Sequence, residues 1–177
     1  MTNKEDFVDQ SEYWRIHLSD WQGINKKIMA EFAEHRDAPE RQSHFFHGRF
    51  ENLYIGSDKM PSINPLLDAA AKNAAEILQR SVLSLKYGYW FNLMYPGHVT
   101  SWHTHDEDDE LLSCVYYLDV PPGSGNLQLR LSDGIASIVP ENGMFVFFSP
   151  TLDHCVEKNK SDRPRLSVAI NFGPVSI

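Results

Sequence analysis

Three histidines, His103, His105 and His154, lie at the ends of segments whose patterns are typical of β-strands. In the segment WHTHDE, successive side chains of an extended chain point to opposite faces, so His103, His105 and Glu107 share one face. Imidazole and carboxylate groups at this spacing can bind one metal ion together. The pattern therefore predicts a metal site to which His154 contributes from a distant strand.

The chemistry of such a site depends on its third ligand. A non-haem Fe(II) centre uses three protein ligands on one face of an octahedron, commonly two histidines and a carboxylate, and keeps positions open for a co-substrate and O₂. His105 and His154 supply two ligands in either arrangement that we consider. Glu107 as the third ligand gives the usual pair of a histidine and a carboxylate, whereas His103 gives three histidines. The spacing leaves both sets open.

A second group of polar residues follows the distal histidine. Arg165 lies eleven residues after His154, and Ser167 falls on the same face of the same predicted strand. A guanidinium group offers a rigid fork for a carboxylate, and a serine hydroxyl adds another donor. The pair predicts a binding site for a dicarboxylate.

The elements that position these residues are predicted to be strands. After residue 82 the chain alternates between β-branched or aromatic residues and turn residues at short intervals. We expect eight strands near 84–95, 98–105, 111–120, 125–131, 135–139, 143–149, 153–158 and 164–172. This pattern predicts a mainly β fold with flanking N-terminal helices (α+β), built on a double-stranded β-helix of the jelly-roll or cupin-like kind.

The first part of the chain has a different pattern. Apolar residues recur at helical intervals over 11–35, which predicts one or two amphipathic helices with a break at Gly23. A further helix is predicted over 64–80, where Asn64 suits the cap and Pro65 the first turn. At 177 residues we expect a single domain over 1–177, with 1–82 as helical support and rim and 83–177 as the β core.

Composition limits the partners. A net charge of −8 without a basic stripe argues against nucleic acid, and no apolar run is long enough to span a membrane. Two cysteines without CxxC spacing, Cys114 and Cys155, and a start without a signal peptide favour the cytoplasm. We place the substrate, a small molecule or a peptide, near the acidic run 106–110 and the segment 44–50. Homodimerisation through the N-terminal helices is a further expectation.

The chain resembles a known family in its second half. The segments YPGHVTSWHTHDE, LLSCVYYLDVPPGSGNL and IVPENGMFVFFSPTLDHCVEKNKSDRPRLSVAINF occur in the order typical of the 2-oxoglutarate–Fe(II) oxygenases of bacteria and phages, and more distantly of prolyl hydroxylases. The resemblance covers about residues 84–172. It implies an Fe(II)- and 2-oxoglutarate-dependent dioxygenase that uses O₂, hydroxylates a substrate and releases succinate and CO₂.

The resemblance also implies roles for single residues. Metal binding falls to His105 and His154, completed by His103 or Glu107. The HxH of the family favours His103. Binding of 2-oxoglutarate falls to Arg165 and Ser167, with Tyr95 and Tyr117 as further contacts by analogy with the YPG and YYL segments of prolyl hydroxylases.

Arg163 competes with Arg165, because prolyl hydroxylases have their arginine nine residues after the distal histidine, where Arg163 lies. We prefer Arg165, which is two residues from Ser167 within a convincing strand, whereas Arg163 falls in the turn KNKSDRP.

Two other functions are compatible with the histidines. A cupin-type dioxygenase without 2-oxoglutarate can hold iron with three histidines, but Arg165 and Ser167 would then have no task. A non-catalytic metal- or sugar-binding jelly roll would use the histidine cluster structurally. Binding of 2-oxoglutarate distinguishes the first alternative, and iron-dependent turnover distinguishes the second.

Overall fold

The fold is described from a computed structural model, which describes residues 8–9, 12–46, 48–105 and 109–175. The strands are β1 (Val8–Asp9), β2 (Tyr13–His17), β3 (Arg41–Phe46), β4 (Arg49–Tyr54), β5 (Leu85–Met94), β6 (Thr100–His103), β7 (Leu112–Asp119), β8 (Leu127–Leu131), β9 (Gly134–Ile138), β10 (Met144–Phe148), β11 (His154–Val156) and β12 (Arg165–Pro174). The helices are α1 (Trp21–His35) and α2 (Asn64–Ile77), with short 3₁₀ turns at Pro61–Ile63 and Val82–Ser84.

The strands form two antiparallel sheets. The major sheet has the order β1-β2-β10-β7-β12-β5-β4-β3, and the minor sheet has the order β6-β11-β8-β9. All eight strands predicted after residue 82 are present, and the mainly β, double-stranded β-helix architecture is confirmed.

Three layers result from the alternation of side chains along the strands. On β12, Leu166, Val168, Ile170 and Phe172 belong to the core that the major sheet forms with α1 and α2. The intervening residues face the minor sheet, where a second apolar cluster includes Tyr117, Leu129 and Phe148. Each strand of the major sheet therefore supplies one face to the helices and the other to the space between the sheets.

The prediction of helices over 11–35 was only partly right. Tyr13–His17 forms β2, which pairs with β10 so that Tyr13 is opposite Phe148. Aromatic and β-branched residues suit a strand, and pairing with β1 and β10 overrides the helical spacing. The predicted break at Gly23 is also wrong, because α1 continues through this position.

Helix α1 is anchored to the major sheet by a buried polar contact. The side chain of Asn25 donates to the carbonyl oxygen of Leu118 (2.8 Å) and accepts from the Tyr116 hydroxyl (2.6 Å). Ile28 and Phe32 follow on the same face of the helix and are buried. These contacts fix α1 against the outer side of β7.

Helix α2 starts at the predicted place, but Asn64 is its first helical residue rather than its cap, since the cap position is Ile63, which makes no side-chain cap hydrogen bond. Pro65 lies in the first turn, where a backbone N–H would have no partner within the helix, so its absence costs no hydrogen bond. Its buried side chains recur every three to four residues, which gives one apolar face: Leu66, Leu67, Ala70, Ala71 and Ala74.

The segment 40–62, part of the region expected to form helical support and rim, contains a β-hairpin. Strands β3 and β4 pair with each other, and β4 joins β5 with Asn52 opposite Asn92. The region 1–82 is therefore not only helical support, since it extends the major sheet at both edges. No helix among the described residues is long and apolar enough to cross a lipid bilayer.

Candidate active site

A cavity of about 220 Å³ lies between the two sheets. Its walls come from the inward faces of β5, β7 and β12 on one side and from β6 and β11 on the other, with the β3–β4 hairpin at one flank. The lining includes His103, His105, His154, Arg165 and Ser167. Five of the residues singled out in the sequence therefore line one cavity.

The three histidines form a tight cluster. One ligand atom from each of His103, His105 and His154 can be chosen so that all three atoms lie within 4.8 Å of one another. Their ring centroids are 4.2 to 5.1 Å apart. The antiparallel pairing of β6 with β11 places His103 directly opposite His154, and the backbone N–H of His105 donates to Pro150 just before β11.

Backbone carbonyl groups orient two of the rings. Nδ1 of His103 lies 2.8 Å from the carbonyl oxygen of Ser101, and Nδ1 of His154 lies 2.9 Å from that of Leu152. A carbonyl oxygen only accepts hydrogen bonds, so each Nδ1 carries the proton and each Nε2 keeps a lone pair. Metal-binding histidines use the same arrangement to fix ring tautomer and orientation.

Burial keeps His154 neutral. Loss of solvent, reinforced by the neighbouring His103, lowers the pKa of His154 from 6.5 to about 3. At neutral pH no proton competes for its Nε2 lone pair, so the ring is ready to coordinate a cation. Glu107, the alternative third ligand, lies outside the described residues.

Arg165 is a buried cation. It is 1% exposed, Nη1 donates to the carbonyl oxygen of Gly125 (2.6 Å), and Nε has no hydrogen-bond partner in the described part of the chain. No acidic side chain that the structure describes forms an ion pair with it. A buried charge of this kind is costly unless an anion neutralises it.

Tyr117 and Ser167 lie next to Arg165. The guanidinium carbon of Arg165 is 5.0 Å from the centre of the Tyr117 ring, and burial raises the pKa of the Tyr117 hydroxyl to about 12, against the opposing effect of the Arg165 charge. Ser167 is opposite Tyr117 across β12 and β7 and is buried. Arg165 and Ser167 form a polar end of the cavity that suits a carboxylate, with the buried Tyr117 ring directly behind it.

Two residues that were considered for co-substrate binding, Arg163 and Tyr95, lie outside the lining of this cavity. Arg163 is 60% exposed and bonds to Asp119 (3.0 Å), outside the cavity lining. Tyr95 was expected to contact the co-substrate, but its side chain is 45% exposed and lies beside His98 at a separate surface pocket. Met94 lines the cavity instead, because neighbouring residues of a strand face opposite sides.

Several polar residues of the cavity were not found from the sequence. They are Asn52, Asn92, Ser113 and Asn171, whereas His44 belongs to the segment 44–50 that was expected near the substrate. Ser113 and Asn171 are opposite each other across β7 and β12, and the buried Ser113 hydroxyl has no hydrogen-bond partner among the described residues. The sequence feature that could have identified them is a polar residue on the inward face of a largely apolar strand.

Comparison with known proteins agrees with this geometry. The family model of the 2OG-Fe(II) oxygenase superfamily matches residues 89–173, which span β5 to β12. No curated protein matches the chain by sequence.

Solved structures share the fold across nearly the whole chain. A prolyl-4-hydroxylase from Pseudomonas putida is 22% identical with a TM-score of 0.68, covering 94% of this chain and 95% of that one. A Trichoplax adhaerens prolyl hydroxylase, solved with a hypoxia inducible factor oxygen degradation domain peptide fragment, is 12% identical with a TM-score of 0.75, covering 93% and 84%. EvdO2 from Micromonospora carbonacea var. aurantiaca, complexed with 2-oxoglutarate, is 14% identical with a TM-score of 0.66, covering 99% and 93%.

The family match and the fold confirm the resemblance seen in the sequence. The protein is a 2-oxoglutarate-dependent, non-haem Fe(II) dioxygenase, and its cofactors are Fe(II) and 2-oxoglutarate.

The side chains that line the cavity fit both Fe(II) and 2-oxoglutarate. Three imidazoles, two of them with their Nε2 lone pairs fixed by backbone contacts, form a donor set that suits Fe(II). The unpartnered Nε of the buried Arg165 provides a donor and a positive charge for the distal carboxylate of 2-oxoglutarate.

Proposed function

We propose that His103, His105 and His154 hold Fe(II), so that the protein completes its metal site with three histidines. The observation that supports this most directly is their convergence within 4.8 Å in a cavity that also contains a buried arginine. Three protein ligands would leave the remaining coordination positions of the ion for the co-substrate and O₂.

We further propose that Arg165 and Ser167 bind the distal carboxylate of 2-oxoglutarate, with the Tyr117 hydroxyl as a third contact. Arg165 has an unpartnered Nε and no counter-ion among the described side chains, and Ser167 shares its strand face. A carboxylate at this point would neutralise the buried charge and satisfy the unpaired donor. Both effects favour a dicarboxylate over a ligand with one acidic group.

When bound, Fe(II) and 2-oxoglutarate supply the activation of O₂. In the net reaction, one 2-oxoglutarate, one O₂ and one substrate C–H bond give succinate, CO₂ and an alcohol. The chain itself contributes orientation and exclusion of water. Trp90 and Phe148 pack against His105 and His154 at ring distances of 5.7 and 4.8 Å, which shields the metal ligands from solvent. The backbone carbonyls of Ser101 and Leu152 hold the protons of Nδ1 away from the metal position.

Anaerobic titration of 2-oxoglutarate into the Fe(II)-loaded protein tests the assignment. A saturable metal-to-ligand charge-transfer band in the visible range is expected for the wild type. His154→Ala should lose iron and the band, and Arg165→Ala should bind iron but require far more 2-oxoglutarate. Arg163→Ala is the matched control, because Arg163 pairs with Asp119 outside the cavity. A wild-type protein that binds iron without forming the band contradicts the proposal.

We also propose a cytoplasmic location, which the two free cysteines, Cys114 and Cys155, support. The substrate is a small molecule or a peptide that reaches the cavity beside the β3–β4 hairpin. Cell fractionation tests the location, and sedimentation of the purified protein tests the expected homodimer.

A further inference from the structure

The β3–β4 hairpin presents His44 and Phe45 to the cavity. His44 has a backbone φ of 55°, a left-handed conformation that residues other than glycine rarely adopt. Ser43 and Phe45 on either side keep their regular partners on β4, Asn52 and Phe50. The distortion is therefore confined to one residue, and residues held in this way are found preferentially at functional sites.

The left-handed conformation changes the face on which the His44 side chain lies. In a regular strand, His44 would point away from the face that carries Ser43 and Asn52. Instead, its Nδ1 is 2.9 Å from the Ser43 hydroxyl and 2.8 Å from Nδ2 of Asn52. Both contacts are made by Nδ1. The other ring nitrogen, Nε2, has neither of these contacts, and the ring lines the cavity.

A chain of amide contacts determines which nitrogen of His44 carries the proton. The backbone carbonyl of Glu51 can only accept, so the Asn92 atom 2.9 Å from it is an N–H donor. The same Asn92 amide nitrogen donates to Oδ1 of Asn52 (2.9 Å). Because Oδ1 of Asn52 accepts, its Nδ2 is the group that faces His44 and donates to Nδ1. The neutral ring must then carry its proton on Nε2.

We propose that His44 is a substrate-binding residue whose Nε2–H donates a hydrogen bond to a neutral carbonyl oxygen of the substrate, and that Asn92 and Asn52 are positioning residues that fix this tautomer. The inference rests on the proposed function, since it assigns the substrate side of the same cavity. It deepens that function by naming the group that the substrate presents.

The charges around His44 favour a neutral partner. Apart from histidines, the charged side chains lining the described part of the cavity are Glu51 and Arg165, and Glu51 is already paired with Arg49 (2.9 Å). The proposed function assigns Arg165 to the co-substrate, and Glu51 follows on the same hairpin. An anionic substrate group at His44 would find no unpaired cation among these side chains, because Arg49 is paired with Glu51 and Arg165 is assigned to the co-substrate, whereas an amide or ketone oxygen needs none.

Two aromatic rings extend the proposed surface. Phe45, 65% exposed, packs edge to face on Phe50 at 5.1 Å, next to His44 on the hairpin. Exposed aromatic residues beside a polar donor suit a substrate whose carbonyl group is flanked by apolar atoms.

Nitrogen-15 NMR of the histidine rings in the metal-free protein tests the tautomer directly. The His44 signals are assigned by comparison with His44→Gln. We expect the Nε2 resonance to be of the proton-bearing type and the Nδ1 resonance to be of the proton-free type. The opposite pattern in the wild type would overturn the proposal.

Asn52→Asp is the sharpest variant because it keeps the shape of the side chain. It replaces the Nδ2 donor by an oxygen, which requires a proton on Nδ1 of His44, so the Nδ1 resonance should become proton-bearing. Asn126→Asp is the matched control, because Asn126 bonds to Ser137 on the minor sheet, away from the hairpin. An unchanged His44 spectrum in Asn52→Asp would refute the role of the amide chain.

Acetamide and acetate serve as probes of the substrate class because they have the same shape and differ in charge. With 2-oxoglutarate present to fill the Arg165 end, acetamide should shift the His44 Nε2–H resonance more than acetate, and Asn52→Asp should weaken this response. An equal or larger response to acetate, or no response to either probe up to its solubility limit, would reject the assigned carbonyl. The charge-transfer titration is independent of His44, so its result separates failure of this inference from failure of the proposed function.

Discussion

His103 and His154 are directly opposite each other across β6 and β11, with ring centroids 4.2 Å apart. They are distant in sequence, and the pairing of two short strands of the minor sheet brings them together. Each ring is further oriented by the carbonyl oxygen two residues before it, that of Ser101 or Leu152. The proposed metal site thus depends on strand pairing as much as on the histidines themselves.

This relationship predicts the effect of removing one ligand. His154→Ala should weaken Fe(II) binding by at least about 100-fold, since even the loss of groups that only orient metal ligands costs 10- to 100-fold. His17→Ala is the control, because His17 lies on β2 and pairs with Glu141 at 3.4 Å, outside the cavity lining. Isothermal titration under nitrogen measures both. Equal affinities in the two variants would exclude His154 as a ligand.

The lowered pKa of His154 predicts a pH dependence of stability in the metal-free protein. Between pH 6.5 and about 3 the unfolded chain binds a proton on this ring that the folded chain does not. The free energy of unfolding should therefore decrease as pH falls through this interval, with a slope of up to about 1.4 kcal/mol per pH unit from this group.

Urea unfolding at pH 7 and pH 5 measures the effect. His154→Gln removes the titrating group while keeping a polar side chain, so its stability should depend less on pH than that of the wild type. The same pH dependence in both proteins would show that His154 is not the group responsible.

Arg165 should affect binding and stability in opposite directions. Arg165→Met should reduce 2-oxoglutarate affinity by about 30-fold or more, since removing one partner of a buried charge pair costs 2–5 kcal/mol. In the absence of ligand, the same substitution should leave the free energy of unfolding unchanged or raise it, because a buried cation without a counter-ion is replaced by an apolar side chain.

Arg163→Met is the comparison for this experiment. The exposed pair of Arg163 with Asp119 contributes at most about 1 kcal/mol, and the substitution should leave 2-oxoglutarate affinity unchanged. If Arg163→Met rather than Arg165→Met abolished binding, the arginine that binds 2-oxoglutarate would be Arg163, at the spacing found in prolyl hydroxylases.

Much of the fold could be predicted because its signals are local. Turn residues and side-chain alternation located the eight strands after residue 82, and Pro65 located the first turn of α2. The strands β2, β3 and β4 were missed because their stability comes from pairing with β10 and β5, which are distant in the sequence. Local patterns contain no information about such partners.

The residues of the candidate site also fall into those that local patterns predict and those that they do not. His103, His105 and His154 were predictable from residue type and alternation, and so were Arg165 and Ser167. The contact between Asn52 and Asn92 was not, because it exists only when β4 pairs with β5.

The error at Tyr95 has a different cause. A position one residue along a strand lies on the opposite face, so the motif alone did not decide between Met94 and Tyr95.

Ser113 provides a prediction about the relation between stability and function. Its hydroxyl is buried, lines the cavity and has no hydrogen-bond partner within the ranges that the structure describes. A buried polar group without a partner costs about 1–3 kcal/mol, so Ser113→Ala should raise the free energy of unfolding of the ligand-free protein by about 1 kcal/mol.

The matched control is Ser43→Ala, because the Ser43 hydroxyl has partners in His44 and Tyr54 and its loss should not stabilise the fold. Denaturant unfolding of the two variants and the wild type gives the comparison. A loss of stability in Ser113→Ala would mean that an ordered water satisfies the hydroxyl in solution. A gain would mean that the protein keeps an unpaired polar group at a cost, as is typical of a group reserved for a ligand.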